Sequence, residues 1–220
     1  MNANGLLKII FLLPITFALA EFAFAKEDVY KNFSELSAHH KEGQDFVVNI
    51  QDRHSPVCVL AIHGGKIEKG TDKLAQDIAG SDWSLYTFSA QMRAHNQILH
   101  LTSTHFDDPR AVLMAKSAKV CVSLHGFKDE GESKACIGGG NVKLRDHLKQ
   151  VLTDAQLGIV IESPCSQFGG ATLSNIVNRS QNQGVQIEMS GPLRERFAAD
   201  GSLKDKFVLL VRKALSLPQP

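Results

Sequence analysis

The sequence predicts a single α/β domain: a mixed, mostly parallel sheet flanked by helices. Three observations carry that expectation. The runs Val57-Cys58-Val59-Leu60-Ala61-Ile62 and Val120-Cys121-Val122-Ser123-Leu124 are apolar at nearly every position, as strands buried on both faces must be. Segments of strand character alternate with segments of helical period. The composition, 43% hydrophobic and 21% charged over 220 residues, suits one folded core and neither a disordered chain nor two full domains.

Residues 1–25 read as a secretory signal peptide. Lys8 gives the positive start, residues 9–20 form an apolar run, and Ala23-Phe24-Ala25 is a small-x-small cleavage site ahead of Lys26. The run falls short of the about 20 apolar residues that a membrane span needs. The expectation is an exported protein, periplasmic or secreted, with no stable membrane insertion after cleavage and residues 26–220 as its one domain.

Within that domain a polar helix is expected over residues 32–40 and a strand over 46–50. After Pro56 comes the buried strand 57–62, then a helix over 71–79 with Thr71 as its N-cap. Residues 83–88 alternate as a strand, and 98–102 read as another. Pro109 starts a helix that runs to Lys116, since proline suits a first helical turn. The second buried strand, 120–124, follows. Residues 141–152 form an amphipathic helix with Val142, Leu144, Leu148, Val151 and Leu152 as its apolar positions. Residues 157–161 read as a strand, 173–177 as a short helix, 185–189 as a strand and 203–215 as a closing helix.

The formal net charge of +1 argues against nucleic-acid binding, which rests on phosphate neutralisation by a basic surface. It leaves room for a local site that takes an acidic substrate. Export would place Cys58, Cys121, Cys136 and Cys165 in an oxidising compartment. Four cysteines allow three pairings. Cys136–Cys165 is preferred, because both lie in loop-like stretches, while Cys58 and Cys121 sit in apolar strands as small buried hydrophobes.

In open α/β sheets functional residues gather at the carboxyl ends of strands. His63, His125 and Glu188 fall at such ends, and both histidines share the frame strand-His-Gly. Glu68 follows His63 by five residues within one glycine-rich loop. Two imidazoles and a carboxylate converging on a point match a catalytic zinc site, which keeps one position open for water. A single strand-end histidine would more often be structural; the repeated frame with a nearby glutamate puts ligation on even terms with that reading. The other histidines at positions 39, 40, 54, 95, 100 and 147 read as surface or satisfied polar residues. His105 stands beside Asp107, a candidate hydrogen-bond partner, and Asp107 or Asp108 is equally a helix N-cap ahead of Pro109.

The stretch Ile62-His63-Gly64-Gly65-Lys66-Ile67-Glu68-Lys69-Gly70-Thr71 resembles the first metal motif of the poly-γ-glutamate hydrolase family, zinc peptidases with a fold similar to that of zinc carboxypeptidases. Further pieces fit in order: residues 102–109, Ser123-Leu124-His125-Gly126, Asn175-Ile176-Val177-Asn178-Arg179, and residues 184–190. The resemblance spans roughly residues 45–197. It implies one Zn²⁺ per chain held by His63, Glu68 and His125, with Glu188 as the proton-shuttling carboxylate. It implies an acidic peptide polymer as substrate. Asn178-Arg179 resembles the Asn-Arg pair with which zinc carboxypeptidases hold a carboxylate, which makes Arg179 a substrate-binding candidate; Arg194 is a second. γ-Glutamyl links of cell-wall peptides are an alternative substrate, and a non-catalytic binding protein on the same fold is a reading of another class. A serine hydrolase is disfavoured by the absence of a G-x-S-x-G elbow.

Overall fold

The computed structural model describes residues 28–129 and 131–216; the signal-like segment lies outside them. The strands are β1 (Phe46–Gln51), β2 (Val57–Gly65), β3 (Ser84–Ala90), β4 (Val120–Gly126), β5 (Lys134–Gly138), β6 (Val160–Glu162) and β7 (Gly184–Met189). They form one seven-stranded sheet in the order β1-β3-β2-β4-β7-β5-β6. The central β3-β2-β4-β7 strands are parallel. β1 joins β3 antiparallel, and β5 joins β7 antiparallel.

Helices cover both faces. α2 (Thr71–Ala79), α4 (Val142–Asp154), α5 (Gly191–Ala199) and α6 (Gly201–Ser216) pack on one side. α1 (Phe33–His39) and α3 (Pro109–Ser117) pack on the other. β2 shows why its sequence is apolar throughout. Val57, Val59 and Ala61 enter the core under α2 and α6, while Cys58, Leu60 and Ile62 enter the core under α1 and α3. Burial of each such side chain contributes about 1.5–3 kcal/mol.

The expected architecture is therefore the observed one, with local differences. Thr71 does not cap α2. Gly70, at φ 90°, occupies the cap position, and the Thr71 hydroxyl instead donates to the Glu68 carbonyl at 2.9 Å. Residues 98–102 do not form a strand; a 3-10 turn over Asn96–Leu99 stands there, entered through His95 at φ 60°. The short helix expected at 173–177 is a 3-10 turn over Ile176–Arg179. β5 and α5 were not expected. β5 carries few strand formers and exists because the edge of β7 pairs with it. α5 starts at Gly-Pro, with Ser190 as cap. Among the described residues no helix is long and apolar enough to cross a membrane.

The expected disulfide is present. Cys136 and Cys165 are bonded, with Cα atoms 5.1 Å apart, and Cys58 and Cys121 are free and buried. The bond ties β5 to the loop that follows β6.

Candidate active site

The carboxyl ends of β2, β4 and β7 meet at one cavity of about 400 Å³, which His63, Glu68, His125 and Glu188 all line. A local irregularity brings His63 there. Alternation along β2 places Ala61 on the α2 side and Ile62 on the α1 side, so His63 would return to the α2 side. Between Ala61 and Gly64 the pairing with β3 slips by one residue. Such a bulge re-aims the side chain, and His63 emerges on the face that β4 gives to His125. The loop beyond is pinned from α2: Asp72 Oδ2 accepts from the Gly65 N–H at 3.0 Å and from the Ser89 hydroxyl at 2.7 Å. Gly65 sits at φ +66°, and a Cβ there would stand 2.3 Å from the Ala90 carbonyl oxygen. This tight turn delivers Glu68, whose N–H donates to the His63 carbonyl at 2.8 Å.

The three side chains converge. His63 Nδ1 lies 2.9 Å from Glu68 Oε1 and 3.2 Å from His125 Nδ1; His125 Nδ1 lies 3.7 Å from Glu68 Oε2. The tautomer of His63 follows from its other nitrogen. Nε2 is 2.8 Å from the Leu101 carbonyl, which can only accept, so in the neutral ring Nε2 carries the proton and Nδ1 offers a lone pair. A backbone carbonyl on the far nitrogen is how proteins orient a ligating histidine. The remaining carboxylate oxygen, Glu68 Oε2, accepts from the Gly126 N–H at 2.9 Å. His125 Nε2 is buried without a partner among the described residues. Two imidazole nitrogens and a carboxylate facing one another within 3.7 Å form an electron-rich focus that fits a divalent cation of zinc's ligand preference.

The metal-free electrostatics set the two rings apart. Burial pushes His125 down to about 4, with only partial relief from the Glu68 charge, so its ring stays neutral near pH 7. Burial also depresses His63, but the Glu68 charge and hydrogen bond outweigh it and the net shift is upward. Burial alone would raise Glu68; His63 pulls it below the usual carboxylate range.

Glu188 stands beside His125, its register partner across β4 and β7. It is 7% exposed. Burial, reinforced by the Glu68 charge, raises its carboxyl well above the ordinary carboxylate range. Gln186 Nε2 donates to Glu188 Oε1 at 3.1 Å and to the Phe168 carbonyl at 2.9 Å, while Gln186 Oε1 accepts from Asn175 Nδ2 at 2.8 Å. The Cys136–Cys165 bond anchors the same 165–170 segment.

The two arginine candidates are not at the cavity. Arg179 ends the 3-10 turn and its Nη2 donates to the Ser174 carbonyl at 3.2 Å. Its neighbour Asn178 is a structural clamp, accepting from the Gly140 N–H and donating to the Gly170 and Thr172 carbonyls. Arg194 spends its guanidinium on the carbonyls of Met189, Lys69 and Phe127 at 3.2–3.3 Å. It braces the loops that carry Glu68 and His125. Arg194 thus commits Nε, Nη1 and Nη2 to backbone, whereas Arg179 gives only Nη2 to it.

His105 also differs from expectation. Its partner is Asp28 at 2.9 Å; Asp107 accepts from the Phe33 N–H, and Asp108 caps α3. His100, read as a surface or satisfied residue, lines the cavity and stacks on His63. No spacing in the sequence marks it: it follows a 3-10 turn, and its partners are 37 and more residues away.

Comparison with known proteins agrees with this architecture. The curated Bacillus subtilis protein YndL is 38% identical over 183 residues, covering 83% of this chain and 71% of YndL. The B. subtilis protein YmaC is 29% identical over 200 residues, covering 90% and 84%. The solved structure of a bacteriophage poly-γ-glutamate hydrolase superposes with a TM-score of 0.80 at 30% identity, covering 86% of this chain and 97% of that one. A zinc-free structure of YndL superposes with a TM-score of 0.78 at 34% identity, covering 86% and 98%. The sequence profile of poly-γ-glutamate hydrolase matches residues 30–208, and the chain belongs to that family.

Proposed function

We propose that this protein is an exported, zinc-dependent hydrolase that cleaves γ-glutamyl amide bonds in poly-γ-glutamate. The single observation that carries the reading is the meeting of His63, Glu68 and His125 within 3.7 Å of one another beside the buried carboxyl of Glu188. His63 Nδ1, His125 Nδ1 and the Glu68 carboxylate would hold the metal. Zinc, when bound, supplies Lewis-acid polarisation of a carbonyl and lowers the pKa of water to about 7.

The chain's own residues do the rest. Glu188 Oε1 is occupied by Gln186, so Oε2 is the atom free to take a proton from the attacking water and return it to the leaving amine. Its raised affinity for a proton suits both halves of that exchange. The cavity lining includes Thr102, Ser103, Thr104, Thr172, Gly169 and Gly170 and, among the described residues, no lysine or arginine. The polymer's carboxylates would be met there by neutral donors, and Arg194 acts as a brace. Export rests on the signal-like residues 1–25, and the Cys136–Cys165 bond supports it, since disulfides persist in oxidising compartments.

The test is metal analysis of the purified protein with an amine-release assay on poly-γ-glutamate, before and after chelation and zinc readdition. One zinc per chain and chelator-reversible hydrolysis are expected. Full activity in a protein stripped of metal refutes the reading.

A further inference from the structure

Behind His100 and Thr102, which line the cavity, lies an arrangement that the catalytic reading does not use. Asp28, far from the site in sequence, buries its side chain to 5% exposure there. One oxygen accepts from His100 Nδ1 at 3.0 Å. The other accepts from the Thr102 N–H at 2.7 Å and from His105 Nδ1 at 2.9 Å. The segment so fixed grips His63 twice: the Leu101 carbonyl takes the His63 Nε2 proton, and the His100 ring lies on the His63 ring at 4.1 Å between centroids.

His100 invites a reading as a metal ligand, because His63, Glu68 and His100 each bring a ligand atom within 4.8 Å of the others. Ring geometry argues against it. Two imidazoles that ligate one ion must both point their planes at it. Rings stacked at 4.1 Å with 26° between them have planes that converge only roughly 8 Å away, against a zinc–nitrogen bond of about 2.1 Å. His63 and His125, at 64° and 5.1 Å, meet no such conflict.

We propose that Asp28 and His100 are a positioning pair for His63: Asp28 fixes the His100 ring, and the stacked His100 fixes the plane in which His63 presents Nδ1. The segment that precedes α1 is thereby a working part of the site. The inference rests on the metal-site reading above and adds to it the residues that set its affinity. Partners that orient a ligating histidine typically govern metal affinity by 10–100-fold.

The experiment measures zinc affinity by competition with a chromophoric chelator, together with the visible spectrum of the cobalt-loaded protein, for wild type, Asp28→Ala, His100→Ala and His100→Phe. Urea unfolding of each metal-free protein separates folding from binding. Asp28→Ala and His100→Ala are expected to bind zinc at least tenfold more weakly and to show altered cobalt spectra while their metal-free folds persist. His100→Phe, which keeps the stacked ring but loses the nitrogen that Asp28 holds, is expected to fall between wild type and His100→Ala. Wild-type affinity in His100→Ala overturns the positioning role. Equal loss in His100→Phe and His100→Ala overturns it too, since the stacked ring would then contribute nothing. A wild-type chain that takes up no zinc refutes the proposed function and this inference with it, whereas the other two outcomes leave the proposed function standing.

Discussion

Replacing Glu188 by glutamine separates chemistry from architecture at this site. The amide has nearly the shape of the carboxyl, and its oxygen can still accept from Gln186 Nε2, 3.1 Å away in the native chain. Position and packing are kept, and the proton shuttle is lost. General acid–base catalysis contributes about 10²–10⁴ in rate, or about 2.7–5.4 kcal/mol of barrier, so kcat on poly-γ-glutamate is expected to fall by that factor with zinc content unchanged. Stability moves the other way. The Glu188 side chain is almost wholly buried, and its folded-state affinity for a proton is raised. A carboxyl whose folded pKa lies above its unfolded value favours the fold fully below the unfolded pKa, near 4.5, and loses that contribution as pH climbs through the folded pKa. Glutamine has no charge to desolvate. In urea titrations of the metal-free proteins, Glu188→Gln should match wild type near pH 4 and exceed it at pH 8. Initial rates by amine release, zinc by atomic absorption and unfolding midpoints at both pH values check the argument. Turnover within a few-fold of wild type, or a variant less stable than wild type at pH 8, refutes it.

Three further outcomes are expected. Closing a loop with a sequence separation of 29 removes chain entropy worth about 3.6 kcal/mol at 25 °C; reduction, or the Cys136→Ser/Cys165→Ser pair, should lower the urea midpoint accordingly, and an unmoved midpoint contradicts the bond's role. His125, held at about 4 in the metal-free fold against 6.5 unfolded, takes up a proton on unfolding, so its contribution is full above pH 6.5 and lost between pH 6.5 and 4. It amounts to about 3 kcal/mol; the fall in unfolding free energy across that window should be smaller by this amount in His125→Asn. Gly65→Ala drives a Cβ to 2.3 Å from the Ala90 carbonyl at a left-handed φ; a loss of about 2 kcal/mol or more with weakened zinc binding is expected, and a fully stable variant with native zinc affinity counts against the turn as the device that delivers Glu68.

Much of this molecule could be read from the sequence because the responsible signals are local. The apolar runs at 57–62 and 120–124 had to be strands buried on both sides, whatever covered them, because no other element buries every position in so short a stretch. A histidine placed directly after each run had to lie at a strand end, and glycines after it had to permit a sharp turn. The Cys136–Cys165 pair emerged by setting aside the two cysteines inside those runs. Tertiary structure decided what depends on distant partners. β5 exists only as an addition to β7. Arg194 reaches three backbone carbonyls rather than the cavity, and Arg179 stands outside the cavity lining, placements that no spacing in the sequence announces. His100 and Asp28 carry no motif, since His100 meets His63 across 37 positions of chain and Asp28 meets His100 across 72. The register slip between Ala61 and Gly64 is the clearest case. Strict alternation along β2 aims His63 away from His125, and only the count of residues on the neighbouring strand turns it back. A chain can state locally which atoms it offers a cation; whether those atoms meet is set by pairing between strands, an energy shared among residues far apart in sequence.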